Sequence, residues 1–253
     1  MTAPTLLVTR PRPQCSAWLA RLAALGVEAA ALPLIDILPA SDPTPVRAAW
    51  AALAAADLAV FVSPNAVEQF FALAGGAAWP EFTLAACVGP GSAQALIDHG
   101  VPPAHIVQPA ADAASLDSEH LWHQLQPRRA WAGARALLLR GDGGREWLAE
   151  RLVEAGASVE AVTAYHRAEP RFSVAEQALL DAVLARPQGF VWLFSSAEAV
   201  GHLIAQCGGR ELAGQRAIAT HARIADAALT AGLAPVVLAR PDPEAVAQAL
   251  KRL

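Results

Sequence analysis

The stretch Ser158–Pro170, SVEAVTAYHRAEP, decides the organisation of this chain. It begins with alternating apolar residues, as a strand does, and ends in charges and a proline. It contains the only tyrosine of the protein, Tyr165. We interpret it as the point where the chain leaves one α/β domain and crosses to another.

Composition narrows the class of protein. The 253 residues suffice for two small domains or one large one. A formal charge of −4 and a pI near 6.0 argue against a general nucleic-acid-binding protein, which would need a basic face. We find neither a signal peptide nor an apolar run long enough for a transmembrane helix. Three cysteines without a CxxC pair predict buried thiols and a cytoplasmic location.

Short apolar runs alternate with segments of helical periodicity along the whole chain. The runs include Thr5–Thr9, Leu58–Val62, Leu84–Val88, Ala136–Leu139, Phe190–Phe194 and Arg216–Ala219. We expect helices at 13–25 and 46–56 and after Arg145, and extended segments at 34–38 and 159–165. This alternation predicts parallel sheets covered by helices on both faces.

An internal repeat divides the chain. An offset of 130 places Leu7, Arg10 and Gly26 on Leu137, Arg140 and Gly156. An offset of 133 relates the segment after 61 to that after 194, and an offset of 132 relates the segment after 85 to that after 217. The middle of the chain holds three repeat segments, whereas each end holds only part of the set.

The repeat predicts the fold class α/β, with two doubly wound parallel-sheet domains joined by a two-stranded hinge. Residues 1–36 and 167–253 would form a discontinuous domain 1, and 40–160 an inserted domain 2. The hinge crossings would be 33–39 and 161–167. The alternative is a single large doubly wound sheet, which would leave the offsets without a cause.

Ligands of open parallel sheets bind beyond the carboxyl ends of the strands. The residues that we expect there, lining one cleft as substrate-binding groups, are Arg10, Ser63, Asn65, Gly89, Ser92, Arg140, Gly141, Ser195, Ser196 and Thr220. Small hydroxyl residues and glycines at helix N-termini leave backbone N–H groups for anions. Neither GxxxxGK[ST] nor GxGxxG occurs, so a P-loop and a dinucleotide fingerprint are excluded.

Positive charge gathers near the same turns. The arginines concerned are Arg10, Arg12, Arg140, Arg145, Arg167 and Arg171. In an acidic protein they suit a ligand with several acidic groups. His120 and His123 have i, i+3 spacing, but no further ligands converge on them, so we predict an exposed helix face and no metal site.

These motifs together resemble the uroporphyrinogen-III synthase family. The segments that match are VTRP (8–11), LPLIDI (32–37), FVSPNAV (61–67), VGPGSAQAL (88–96), LLRGDGGREWLAERLVEAGASVEAVTAYHR (138–167), FSSAEAV (194–200) and AIATHARIADAALTAG (217–232). Their order and spacing are specific although each motif is short. The family has two α/β domains joined by a two-stranded ladder, which agrees with the repeat.

The resemblance implies a lyase of porphyrin, haem and sirohaem biosynthesis that needs no cofactor and no metal. Its substrate would be hydroxymethylbilane, a linear tetrapyrrole with eight carboxylates, closed to uroporphyrinogen III with loss of water. A spiro intermediate would invert ring D. Tyr165 matches the family's cleft tyrosine and would be catalytic; Ser63, Ser92 and Ser195 match hydroxyl or turn positions.

One turn departs from the family pattern. After the strand at 217–219 the family usually has Gly-x-x-Thr, whereas this chain has Thr220, His221 and, at the hydroxyl position, Ile224. A catalytic role of this turn is therefore not expected. We expect a monomer that binds neither nucleic acid nor membrane.

Two other functions stay open on the sequence alone. A non-catalytic two-domain sensor or carrier for a small anion would bind without turnover. A nucleotide-sugar enzyme would need an Asp-x-Asp metal site or a base pocket, and we find neither.

Overall fold

The chain forms two compact units. The computed structural model describes residues 3–143 and 146–253. One unit combines the residues up to Ile37 with Ala168–Leu253, and the other runs from Leu38 to Arg167. The division predicted from the repeat, at 36/40 and 160/167, runs through nearby residues. Whether residues 40–160 fold by themselves stays a prediction.

The strands are short, as is typical of parallel sheets in α/β proteins. In chain order they are β1 Thr5–Val8, β2 Ala29–Ala31, β3 Asp36–Pro39, β4 Leu58–Phe61, β5 Leu84–Cys87, β6 Ile106–Val107, β7 Arg135–Arg140, β8 Ser158–Thr163, β9 Tyr165–Ala168, β10 Phe190–Phe194, β11 Arg216–Ala219 and β12 Val236–Leu238.

The helices lie between the strands. In chain order they are α1 Arg12–Ala24, α2 Thr44–Ala52, α3 Pro64–Phe71, α4 Pro90–Asp98, α5 Ser118–Leu125, α6 Trp147–Glu154, α7 Val174–Ala185, α8 Ala197–Cys207, α9 Ala222–Thr230 and α10 Pro243–Leu250. Short 3-10 turns occupy 53–55, 103–105, 126–128 and 187–189. In the ranges described, no helix combines the length and apolar character that a membrane crossing requires.

The unit made from the two chain ends is built on a parallel five-stranded sheet of order β12-β11-β10-β1-β2. Leu6 and Leu7 alternate between its faces, as side chains of a strand must. Leu6 packs in one core with Leu22 and Val246, and Leu7 in another with Trp192. Both faces are therefore covered by apolar side chains, which explains the nearly continuous apolar strands.

The middle unit contains a second parallel sheet, of order β6-β5-β4-β7-β8. One core includes Val60 and Leu138 of the central strands together with Leu148 of α6. The aromatic rings of Phe61 and Phe70 lie with their centroids 5.5 Å apart, edge to face. Such pairs stabilise a core beyond their buried area.

The two sheets share one topology with different starting points. In the middle unit β4, β5 and β6 run outward from the centre and β7 and β8 follow on the other side. In the other unit β10, β11 and β12 take the first three places, and β1 and β2 take the last two. This arrangement confirms the predicted fold class, and the alternative of a single large sheet is wrong.

The crossings also form strands. β3 and β9 pair with each other in a separate two-stranded sheet. The segment predicted to be extended, 159–165, lies in strands apart from Ala164, which divides it: β8 ends at Thr163 and β9 begins at Tyr165. Between them, the N–H of Ala164 donates to the carbonyl of Arg140 at 2.7 Å, which closes the parallel pairing of β8 with β7. Tyr165 therefore belongs to the connecting strand rather than to the sheet.

The other predicted boundaries shift by a few residues. The helix expected at 13–25 spans Arg12–Ala24, and that expected at 46–56 begins at Thr44 and ends in a 3-10 turn. The extended segment expected at 34–38 becomes β3, Asp36–Pro39. The predicted helix start at Arg145 and the end of the glycine turn at Gly144 lie outside the described residues.

Candidate functional site

The carboxyl edge of the middle sheet holds most of the predicted site residues. Ser63 and Asn65 follow β4, Gly89 and Ser92 follow β5, and Arg140 ends β7 just before Gly141. Because β4, β5 and β7 are parallel neighbours, their carboxyl ends meet at one edge.

Ser63 both caps helix α3 and contacts the candidate catalytic residue. Its backbone is extended, and its Oγ accepts a hydrogen bond from the N–H of Ala66 at 3.2 Å, which caps α3. The same Oγ lies 2.9 Å from the hydroxyl oxygen of Tyr165. Ser63 is thereby held at both the helix terminus and the phenol.

Tyr165 is completely covered. Its side chain is 0% exposed, although β9 lies at the crossing between the units. Gly141 packs against the ring so closely that a Cβ at this position would lie 2.7 Å from Cε2 and Cζ. The ring of Tyr165 therefore fills the space beside Gly141.

Arg167 is the third group on the phenol. Its Nη2 donates a hydrogen bond to the hydroxyl oxygen of Tyr165 at 3.2 Å. Its guanidinium carbon lies 5.7 Å from the centroid of the Tyr165 ring, within cation–π range. Sequence reasoning grouped Arg167 with the cations but did not select it. The signal was its i, i+2 spacing from Tyr165, which places both side chains on one face of a strand.

His166 points to the opposite face of β9 and joins three segments. Its Nδ1 lies 2.6 Å from Oδ1 of Asp142, and its Nε2 lies 3.1 Å from Oγ of Ser41. The N–H of Ser41 also donates to this Nε2 at 3.2 Å. The contacts of Gly141 with Tyr165 and of Asp142 with His166 therefore connect β9 to the turn after β7 at two consecutive positions. Sequence reasoning missed these three residues.

The remaining predicted residues of the middle unit differ in accessibility. Asn65 and Ser92 are buried at 8% and 3% exposure. Gly89 is the N-cap of α4 in extended conformation, and a Cβ there would meet nothing within 4 Å. Arg140 donates from Nη1 to Oε1 of Glu146 at 3.0 Å, so part of its donor capacity is already used.

In the unit made from the chain ends, Arg10 is a cation held in an apolar setting. Its guanidinium carbon lies 4.6 Å from the centroid of the Trp18 ring, and its Nε donates to Gln14 at 3.3 Å. Its Nη1 is buried and has no hydrogen-bond partner among residues 3–143 and 146–253. Desolvation by burial lowers the pKa of Arg10 to about 10, against a smaller opposing effect of Cys15. A buried cationic N–H without an acceptor is costly, and an anionic ligand would offset that cost.

Two further turns follow the sheet of this unit. Ser196 caps α8 by accepting the N–H of Glu198 at 3.2 Å, with Ser195 just before it. The N–H of Thr220 donates to the carbonyl of Phe194 at 3.1 Å. Arg12, in contrast to Arg10, is paired with Glu176 and lies 3.8 Å from Asp36.

Comparison with known proteins identifies the family. The family model described as uroporphyrinogen-III synthase HemD matches residues 16–248. The chain belongs to the uroporphyrinogen-III synthase family. It is 35% identical over 179 residues to the uroporphyrinogen-III synthase of Salmonella typhimurium, covering 69% of this chain and 70% of that protein. The Escherichia coli enzyme of the same name is 33% identical over 177 residues, with the same coverage.

Solved structures of the family share the fold. A mutant uroporphyrinogen III synthase from the extremely thermophilic bacterium Thermus thermophilus aligns with a TM-score of 0.55 at 20% identity, covering 99% of this chain and 98% of that one. The Helicobacter pylori enzyme aligns with a TM-score of 0.58 at 17% identity over the whole of both chains.

The turn that departs from the family pattern is completed in another way. His221 is the N-cap of α9, and its Nδ1 accepts the N–H of Arg223 at 3.2 Å. Ile224, at the position of the usual hydroxyl residue, is 8% exposed and packs in the core. The turn is therefore structurally sound without the hydroxyl group.

The pair of histidines on α5 has a local role. Asp117 caps the helix by accepting the N–H of His120 at 3.0 Å, and its Oδ1 lies 2.6 Å from Nδ1 of the same residue. These contacts outweigh desolvation by burial and lower the pKa of Asp117 to about 2. Within 3–143 and 146–253, no group of three His, Cys, Asp or Glu side chains is arranged to hold a metal ion.

Proposed function

We propose that this chain is a uroporphyrinogen-III synthase, which cyclises hydroxymethylbilane to uroporphyrinogen III with inversion of ring D and loss of water. The observation that carries the proposal is the family match over residues 16–248. The enzymes of that name from Salmonella and Escherichia coli support it, because each covers more than two thirds of this chain. The chain therefore acts as a lyase in tetrapyrrole biosynthesis.

The proposed task of the strand ends is to hold a flexible polyanion. Small residues at helix N-termini, such as Ser63, Gly89 and Ser196, leave backbone N–H groups directed at the carboxyl edge of each sheet. Arg10 adds a cation whose buried Nη1 has no acceptor in the part of the chain that the structure describes. Holding the reacting ends together replaces an improbable encounter by an effectively unimolecular step.

Tyr165 is the proposed catalytic residue. A phenol within reach of the terminal hydroxymethyl group would donate its proton as the C–O bond breaks, so that the oxygen leaves as water. The resulting azafulvene forms readily, and we therefore expect Tyr165 to contribute about 10²-fold. Because its hydroxyl is covered in this structure, the substrate contacts it only after covering side chains have moved.

Product analysis tests the function directly. Hydroxymethylbilane left in buffer should close without inversion to the symmetrical type I isomer. We expect the protein, without added cofactor and in the presence of a chelator, to yield predominantly the type III isomer, separated by chromatography of the oxidised porphyrins. A product mixture identical to the protein-free control would contradict the proposal and favour an anion sensor. Activity lost on chelation would indicate a metal site and make His120 and His123 its candidate ligands.

We further propose that the chain works as a monomer in the cytoplasm, without nucleic acid or membrane partners. Three buried free thiols, Cys15, Cys87 and Cys207, and the net charge of −4 support this. Size-exclusion chromatography with light scattering at several concentrations would test the monomer, since a dimer would elute at twice the 26.3 kDa mass.

A further inference from the structure

Two hydrogen-bonding side chains contact the phenol oxygen of Tyr165. Together they are suited to stabilise negative charge on that oxygen as well as to hold the ring in place. Ser63 Oγ lies 2.9 Å from its oxygen, and Arg167 Nη2 donates to it at 3.2 Å. The Ser63 hydroxyl already accepts the N–H of Ala66, so its own proton is available to a neighbouring acceptor. The tyrosine oxygen therefore lies between one cationic donor, Arg167, and one hydroxyl group, Ser63, that can donate to it.

We propose that Arg167 is a positioning residue for the reaction, which acts through Tyr165 by holding its oxygen and stabilising the phenolate that forms when Tyr165 gives up its proton. This inference rests on the proposed function of Tyr165. It extends the proposal by assigning the stabilisation of the phenolate charge to Arg167, two positions further along β9.

The proton and electron balance is complete with these groups. The C–O bond of the hydroxymethyl group breaks, its electron pair leaves with the oxygen, and the Tyr165 proton converts that oxygen to water. The phenolate then accepts hydrogen bonds from Arg167 and Ser63. The proton released from the pyrrole carbon as the macrocycle closes returns to Tyr165, so no further reactant is required.

Geometry favours Arg167 for this role. Arg167 is exposed as a residue, whereas the Tyr165 side chain is 0% exposed, and one guanidinium N–H reaches the buried phenol oxygen. Hydrogen bonds in which one partner is ionised are the strong ones, and this bond becomes doubly charge-assisted once the phenolate forms. Its contribution therefore grows along the reaction, as transition-state stabilisation requires.

The kinetic test is a double-mutant cycle with Arg167→Met and Tyr165→Phe. We expect Arg167→Met to lower kcat about 10-fold with little change in KM, because one hydrogen bond from a charged group to the phenol oxygen is lost. In the Tyr165→Phe background the same substitution should cost nothing further, because the oxygen is absent. Arg167→Lys should recover part of the loss. The matched control is Arg128→Met, which removes another exposed arginine of the same unit and should leave kcat unchanged.

A spectroscopic readout makes the test independent of activity. Because Tyr165 is the only tyrosine, labelling the protein with tyrosine enriched in 13C at Cζ gives a single resonance that reports hydrogen bonding at the phenol oxygen. Arg167→Met should move this resonance and Arg128→Met should not.

Several outcomes overturn the inference. They are an equal loss in both backgrounds, a loss confined to KM, which would make Arg167 a carboxylate-binding residue, and a resonance that does not move. A wild-type product of type I would instead contradict the proposed function itself. If the wild type forms the type III isomer and Tyr165→Phe has unchanged turnover, then neither Tyr165 nor Arg167 takes part in the mechanism.

Discussion

Replacing Gly141 by alanine offers the sharpest test of how the phenol is positioned. The new Cβ would lie 2.7 Å from Cε2 and Cζ of Tyr165 and 3.2 Å from Cδ2. Ordinary carbon–carbon contact begins near 3.4 Å, so the ring must retreat by about 0.7 Å, or β9 must move with it. The ring is fully buried, and such overpacking typically costs about 1–3 kcal/mol of stability.

The same displacement should affect catalysis more than stability. The Ser63–Tyr165 contact of 2.9 Å lies near the upper end of the range for hydroxyl pairs, so a shift of this size lengthens or breaks it. A misplacement of about 1 Å can reduce turnover by about 10²-fold. We expect Gly141→Ala to remain folded and to lose a large part of its type III synthesis per folded molecule.

The assay combines urea unfolding with initial rates corrected for the folded fraction. Gly201→Ala is the control, because Gly201 lies inside α8 and a Cβ there meets nothing within 4 Å. It should keep full activity and gain up to about 1 kcal/mol from improved helix propensity. Wild-type turnover of a stably folded Gly141→Ala enzyme, or an undiminished loss in the Tyr165→Phe background, would refute the reasoning.

Three further predictions concern other parts of the chain. Arg10→Met should leave stability unchanged or slightly raised, because it removes a buried N–H that has no acceptor among the described residues. The same substitution should raise KM for hydroxymethylbilane about 10-fold. An unchanged KM in steady-state kinetics would exclude Arg10 from substrate binding. Burial opposes ionisation of Glu176, but hydrogen bonds from Ser173 and Arg12 hold its pKa below the ordinary 4.5. Its stabilisation is therefore complete above pH 4.5 and lost as the pH falls through the lower folded pKa, so Glu176→Gln should be less stable than wild type at pH 7 and converge with it in acid urea titrations. Residues 40–160 expressed alone should give a dispersed amide spectrum, and a random-coil spectrum would contradict an independently folding middle unit.

Local signals explain why the architecture was predictable. Apolar runs such as Leu58–Phe61 are followed by Ser63-Pro64, a cap and a first-turn proline, which together mark where a strand ends and a helix begins. The same signals recur with constant offsets, so the prediction of two similar parallel sheets follows from the repeat. Parallel pairing then places Ser63, Gly89 and Arg140 at one edge without further information.

The details of the candidate site depend on contacts that no local signal encodes. Ala164, which separates β8 from β9, is neither proline nor glycine, and its N–H donates to the carbonyl of Arg140. The break moves Tyr165 into the space beside Gly141, where it meets Ser63, 102 positions away in the chain. Likewise, sequence could not distinguish the unsatisfied Arg10 from Arg12, which is paired with Glu176 of a distant helix.

The insertion of one unit into the other has a consequence for the order of folding. The central pairing of Val8 with Leu193 joins positions about 185 residues apart, whereas every pairing of the middle sheet lies between Leu58 and Thr163. Once the middle unit has formed and β3 has paired with β9, only about 50 flexible residues separate β1 from its partner β10. The entropic cost of closing this loop is then lower by about 1 kcal/mol. If the middle unit folds alone as predicted, a ribosome that releases β10 late delivers it to a chain whose intervening residues are already folded, and the folded unit limits how far β10 can lie from β1.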